Sequence, residues 1–313
     1  MSSILTNNSA MNALQTLRSV NNNLGETQNR ISTGMKVNSA KDNAAYFAIS
    51  ETMKGDSGMT KAINESLTLT KNSLATAHVG AESFKDLARQ FSERVAFAQG
   101  GDGSIDDVKD ELDEIVKQMN ASIKQATFNG DDLIGSGNTV ATATVVAADG
   151  TIGTAATTTE SSRSMSVVTG LTRSATGIAA TTMTVDGVDL TRTYTDFAAI
   201  ATAFKTGFDT AAGTSEAAGQ TYLANTLTAV EGLLDEAISS STTLGVGMKS
   251  VENQQEFLTK LTDNLDSGVG AMVDANMEEE AARLQALQVQ QQLASQSLSI
   301  ANQAPQNILS LFR

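Results

Sequence analysis

LTLTKNSLATAHVGAESFKDLARQFSERVAFA, residues 67–98, decides the fold. In it Leu67, Thr70, Leu74, Ala77, Ala81, Phe84, Ala88, Phe91, Val95 and Ala98 recur at alternating three- and four-residue steps. That spacing returns an apolar side chain to one side of an α-helix at every turn. The stretch therefore predicts a long amphipathic helix whose stripe needs a partner. Gly100-Gly101-Asp102-Gly103 ends it. Next, Ser104 to Asp107 has the Ser-x-x-acid spacing of a capping box. A further helix follows, with Ile105, Val108, Leu112, Ile115 and Met119 on one face and Asp106, Asp110, Glu111, Asp113 and Glu114 on the other. Acidic residues in its first turns suit the helix dipole.

The partner stripe lies in the C-terminal half. Leu223, Leu227, Val230, Leu234, Ala237, Ser241, Leu244, Met248, Val251, Gln255, Leu258, Thr262 and Leu265 keep the same step. Gly268 and Gly270 are expected to interrupt it. A last helix resumes with Met277, Leu284, Leu287, Gln291, Ala294, Leu298 and Ala301. It also carries Val289, Leu293 and Ile300, so its apolar face is broader than a two-helix seam needs. Pro305 is expected only near a helix start or break. At the N-terminus, Ala10, Leu14, Leu17, Asn21, Leu24, Gln28 and Ile31 give a stripe with polar Asn21 and Gln28 at core-type positions. Gly34 reads as its stop.

The middle differs. Residues 138–213 are rich in threonine, alanine and glycine and poor in charge. Ser164–Leu171 and Met183–Tyr194 read as β-like runs, with Asp186-Gly187 and, upstream, Asn129-Gly130 as hairpin turns. A short helix is expected at about 197–211. The whole reads as a small α+β insertion in a mainly α chain, either sugar-modified or simply polar and exposed. It breaks no heptad, so removing about 145–215 is expected to spare assembly.

Composition narrows the chemistry. The chain has 313 residues, no cysteine, no tryptophan, one proline and one histidine, with 21 basic against 35 acidic residues. Its length suggests about two domains. Missing cysteine excludes disulfides, thiol nucleophiles and Cys-type zinc sites. The net charge of −14 argues against nucleic acid as a partner, and no window approaches a membrane span. Residues 1–30 lack the basic, apolar and cleavage segments of a secretory signal.

Individual motifs reduce to structure. Asp102-Gly-Ser104-Ile-Asp106-Asp107 begins like a calcium loop, but Asp107 stands where that loop needs glycine. His78 has no second histidine. Glu278-Glu279-Glu280 complements a helix N-terminus. The methionines read as gap-fillers. No Gly-rich turn is followed by Lys-Ser/Thr, and no nucleophile–base–orienter set assembles, so neither an enzyme nor a cofactor site is expected. The strongest signal is at the ends. Two wide apolar stripes with small and polar core residues make a marginal pair. They are expected to be completed by other copies of the chain, through Leu14, Leu17, Leu24, Ile31, Leu284, Leu287, Leu298 and Leu311. The alternative is a long monomeric bundle.

Three stretches carry a resemblance: SSILTNNSAMNALQTLR (2–18), RISTGMKVNSAKDNAA (30–45) and ANQAPQNILSLFR (301–313). Together they resemble bacterial flagellins of the alphaproteobacterial style, over about 1–135 and 225–313. The resemblance implies an inner domain of 1–44 with 272–313. It implies a helical rod domain of 45–137 with 221–271, and a variable outer insertion at 138–220. It further implies unfolded export through the flagellar type III apparatus, an extracellular filament built from this chain, and a cap and hook-junction proteins as partners. An export chaperone is implied on the C-terminal helix, at Leu284, Leu287, Leu298 and Leu311. Many flagellins present an arginine-rich patch to a vertebrate innate receptor. Gln90, Phe91, Ser92, Glu93, Arg94 and Val95 align there, with Phe91 and Glu93 in place of arginines, which implies weak recognition. A hook–filament junction protein of the same architecture and a secreted coiled-coil effector are the alternatives.

Overall fold

The computed structural model describes residues 7–101, 104–135, 145–153, 164–174 and 177–310; for 145, 153, 174 and 304–310 it describes the backbone alone. The described chain is mainly α. Helix α1 runs Asn8–Thr33, α2 Ala44–Gln99, α3 Ile105–Gln125, α4 Leu190–Thr214, α5 Glu216–Val273 and α6 Met277–Ser310. Three two-stranded antiparallel sheets accompany them: β1 (Thr127–Phe128) with β2 (Asp131–Asp132), β3 (Val145–Val146) with β4 (Ile152–Gly153), and β5 (Ser164–Ser174) with β6 (Gly177–Asp186). The chain divides into two compact units, Thr60–Lys260, and Met1–Met59 with Leu261–Arg313.

In the unit 60–260 the opening stripe behaves as read. All ten positions from Leu67 to Ala98 are buried. Their counterparts on α5 up to Leu258 are buried or half-buried. Polar bridges flank this seam: Lys71 Nζ lies 2.9 Å from Glu252 Oε1, and Gln255 Nε2 donates to Thr68 Oγ1 at 2.9 Å. α3 lays Val108, Leu112, Ile115 and Met119 into the same core. Gly80 permits its approach, because a Cβ there would run into Ala126 Cβ and come within 2.8 Å of Ile134 Cδ1. Asn129 (φ 51°) and Gly130 (φ 87°) form the expected β1–β2 turn, both left-handed as that turn type requires.

The insertion folds onto this core. Phe197 of α4 meets Phe91 edge-on at 5.0 Å and Phe84 at 6.0 Å, and all three are fully buried. A 145–215 deletion would leave the heptads intact but uncover those two rings. The β5–β6 ribbon meets α5, where a Cβ on Gly247 would lie 3.1 Å from Val185 Cγ1, and Gln254 Nε2 donates to the Thr169 carbonyl at 2.7 Å.

Several local expectations are corrected. Asp186-Gly187 makes no hairpin turn: β6 ends at Asp186, and residues 175–176, between β5 and β6, lie outside the described residues. Asp189 caps α4 by accepting from the Thr191 and Arg192 amides, so Leu190–Tyr194 is helix instead of strand. Ser104 stands at the N-cap of α3 but its side chain makes no capping hydrogen bond, so no capping box forms. Asp102, which begins the stretch set aside above as a calcium loop, lies outside the described residues. Helix α5 passes unbroken through Gly268 and Gly270. There Gly268 leaves room for Met53, whose Cε would lie 2.8 Å from an added Cβ. In the same unit Ser57 Oγ donates to Asp266 Oδ1 at 2.7 Å.

Candidate assembly surface: the terminal helix pair

Helices α1 and α6 lie antiparallel, with cross-links that step along the pair. Asn7 Nδ2 donates to the Ala301 carbonyl at 2.8 Å, Gln291 Nε2 to Asn21 Oδ1 at 2.7 Å, and Arg30 to Glu280 Oε1 at 3.3 Å. Beyond Arg30, Gly34 closes α1 in the left-handed conformation (φ 71°), as its sequence position suggested. The chain then pairs with the end of α5 and the turn that leads into α6. Met35 bridges Asp274, the Lys36 amide donates to the Val273 carbonyl at 2.6 Å, and the Ala275 amide to the Gly34 carbonyl at 2.9 Å. Asn276 caps α6, its Oδ1 accepting from the Glu278 amide at 3.1 Å.

The seam itself is shallow. On α1 only Val20 and Thr27 are buried; on α6, over residues 277–303, Glu280, Leu287 and Ala294 are. The α1 stripe is shifted from the sequence reading. The inner positions are Ala13, Leu17, Val20, Leu24, Thr27 and Ile31, while Leu14 (38% exposed) and Gln28 are exposed and Asn21 sits exposed at the rim, where it accepts from Gln291. Both phases satisfy a three–four step, and Leu14 favoured the wrong one; burial of Val20 and Thr27 settles it. Leu17, Leu24, Ile31, Leu284 and Leu298 are half-buried and Leu287 is buried. Leu311 lies outside the described residues. Val289, Leu293 and Ile300 are 56%, 60% and 64% exposed, so the extra breadth of the α6 face has no cover among the described residues. Met11, also exposed, adds to α1's open side.

Pro305 corrects another expectation. The backbone stays helical to Ser310, with the proline inside it. Proline has no N–H, so the carbonyl four residues earlier, Ala301, loses its helical donor. Asn7 Nδ2 supplies the replacement. The same asparagine caps α1, its Oδ1 accepting from the Ala10 amide at 3.1 Å. Sequence reasoning passed over Asn7, although an asparagine just ahead of a helical stripe was the available signal.

Charge in the pair is concentrated at Glu280. Arg30 and Arg283 both approach Oε1, at 3.3 and 3.6 Å, while the buried Oε2 has no hydrogen-bond partner. In the other unit, the six receptor-aligned residues split. Phe91 and Val95 are core, Ser92 is half-buried, Gln90 and Glu93 are exposed, and Arg94 is 3.0 Å from Glu111. Among the described residues no helix is long and apolar enough to cross a membrane.

This is a helical building block whose first and last helices form one antiparallel pair, with an apolar row left uncovered among the described residues. Family models agree: that of the bacterial flagellin N-terminal helical region matches residues 4–139, and that of the C-terminal helical region residues 227–312. Flagellin C of Rhizobium meliloti (strain 1021) is 35% identical, and a flagellin of Brucella melitensis biotype 1 is 36% identical, each over the full length of both chains. Flagellin FljM of Caulobacter vibrioides is 32% identical over all of this chain and 99% of its own. The chain belongs to the bacterial flagellin family. Members of that family are structural subunits that self-assemble into the flagellar filament of motile bacteria.

Proposed function

We propose that this chain is the repeating subunit of an extracellular flagellar filament, and that the α1–α6 pair is the part that assembles. The observation that carries this is the exposed row Val289, Leu293 and Ile300, beside a seam too shallow to hold two helices by itself. Burying that row against other copies gains roughly 25 cal/mol per Å² of apolar surface. In this reading 1–44 with 272–313 form the inner layer, 45–137 with 221–271 the rod, and 138–220 the outer insertion.

The export route is that of unfolded passage through the flagellar type III apparatus, with a chaperone holding the α6 face at Leu284, Leu287, Leu298 and Leu311 until assembly. The cap and hook-junction proteins are its other contacts; nucleic acid, membrane and catalysis have no part. Recognition by the innate receptor is weak, since Phe91 and Val95 belong to the core and Arg94 is held by Glu111. Truncations test the reading. Removal of 1–30 or of 285–313 is expected to leave a folded, soluble chain that forms no filaments by electron microscopy. Filaments from either truncation would refute it.

A further inference from the structure

The seam between α1 and α6 does little to choose its own register. Sliding α1 by one heptad replaces Leu17 with Leu24, Leu24 with Ile31, and Val20 with Thr27, all of similar shape. Even the central rung survives in one direction, because Gln28 then stands where Asn21 met Gln291. Two polar contacts do not survive. Arg30 gives way to Asn23 or to Val37, which lies beyond the helix, and Glu280 loses its cation from the facing helix. Asn7 gives way to Leu14, or has no residue of α1 to replace it, and the Ala301 carbonyl freed by Pro305 loses its donor.

The geometry points to these two contacts, Asn7 with Ala301 and Arg30 with Glu280, as clamps that set the register of the terminal pair. Their chemistry supports the assignment. A buried carboxylate with one oxygen unpaired lowers stability relative to an apolar side chain that would extend the seam. A proline inside a helix removes a backbone hydrogen bond. Each is costly in isolation, and each becomes satisfied, or nearly so, only in one alignment. Polar groups placed this way in helix pairs discriminate between registers. The clamps stand at opposite ends of the pair and act independently of what covers its outer face, so the inference holds whether or not the filament reading does.

The absence of cysteine makes a clean test possible. Gln15→Cys and Gln285→Cys, both at exposed positions on the two helices, carry spin labels in the full-length chain. Labelled chain is diluted with unlabelled chain, and the distance is measured by pulsed electron paramagnetic resonance before and after assembly. Asn7→Asp keeps the cap acceptor for Ala10 but cannot donate to Ala301; Glu280→Leu removes the second clamp. The parent and Asn7→Asp alone are expected to give one distance. Combining Asn7→Asp with Glu280→Leu is expected to add a second population, displaced along the axis by one heptad, about 10 Å. Glu280→Asp, with Asn7→Asp, should return the single distance. A single parental distance in the Asn7→Asp, Glu280→Leu chain would overturn the inference, because the Gly34–Lys36 backbone contacts would then suffice. A featureless distribution there would overturn it too, by making the contacts necessary for pairing as such.

Discussion

Phe197 and Leu287 show how differently the two units are held. Phe197 is fully buried between two other rings in a core fed by α2, α3, α4 and α5. Leu287, the most buried leucine among the described side chains of α6, keeps 8% of its surface in solvent in the pair with α1. The unit 60–260 closes a deep core by itself, although Leu69, Val79, Val246 and Phe257 stay exposed on its surface. The terminal pair spreads a thin seam over 26 and 34 residues and leaves a second apolar row open. The lesson is that one period of sequence serves two ends: completed within the chain it gives a stable body, and left half-covered it gives an adhesive one.

Substitutions can break this contrast. Phe197→Ala is expected to cost about 3–5 kcal/mol in urea unfolding of the 60–260 unit, since cavity and transfer terms add where no collapse is possible. Leu287→Ala is expected to cost about 2 kcal/mol, near the low end for leucine truncation, and to appear in filament yield and not in the main unfolding midpoint. A midpoint shift as large as that of Phe197→Ala would erase the distinction.

Glycines sharpen it from the opposite side. Gly80→Ala pushes a methyl against Ala126 and Ile134 and should destabilise by about 1–3 kcal/mol. Gly25→Ala, in α1 with nothing within 4 Å of the added Cβ, should instead stabilise that helix by about 0.5–1 kcal/mol. Circular dichroism melts of the two variants give opposite signs if the account is right.

The smallest effect is electrostatic. Lys71, through a side-chain hydrogen bond, and then Lys249 hold the Glu252 carboxyl below its ordinary value of 4.5. Its folded pKa is depressed, so the contribution is present above the unfolded value and fades as pH falls through the folded one. Lys71→Met should move the Glu252 titration, followed by carboxyl NMR, back up towards the ordinary range. An unchanged titration would show that this exposed pair is not formed in solution.

Much of this was written in the residue spacing. The stripes of α2 and α5 were legible because each partner also lies in the chain, so apolar period and burial coincide from Leu67 to Ala98. The phase of α1 was not, because a shallow seam selects weakly between Leu14 and its neighbours Ala13 and Leu17. The start of α4 was hidden by threonines of β-like character, although the Asp189 cap marked it. Pro305 misled for a different reason: its cost is met by Asn7, nearly three hundred residues away, and local rules cannot see such a donor. The breadth of the α6 apolar face was legible in Val289, Leu293 and Ile300, while the clamps at Asn7 and Glu280 emerged only when the helices were set side by side.

Hydrogen exchange of backbone amides, compared between the free chain and the assembled filament, tests the central claim most directly. The account expects α1 and α6 to exchange quickly in the free chain and to become protected in the filament, while the amides of 67–98 are protected in both. Equal protection of α1 and α6 before and after assembly would contradict it.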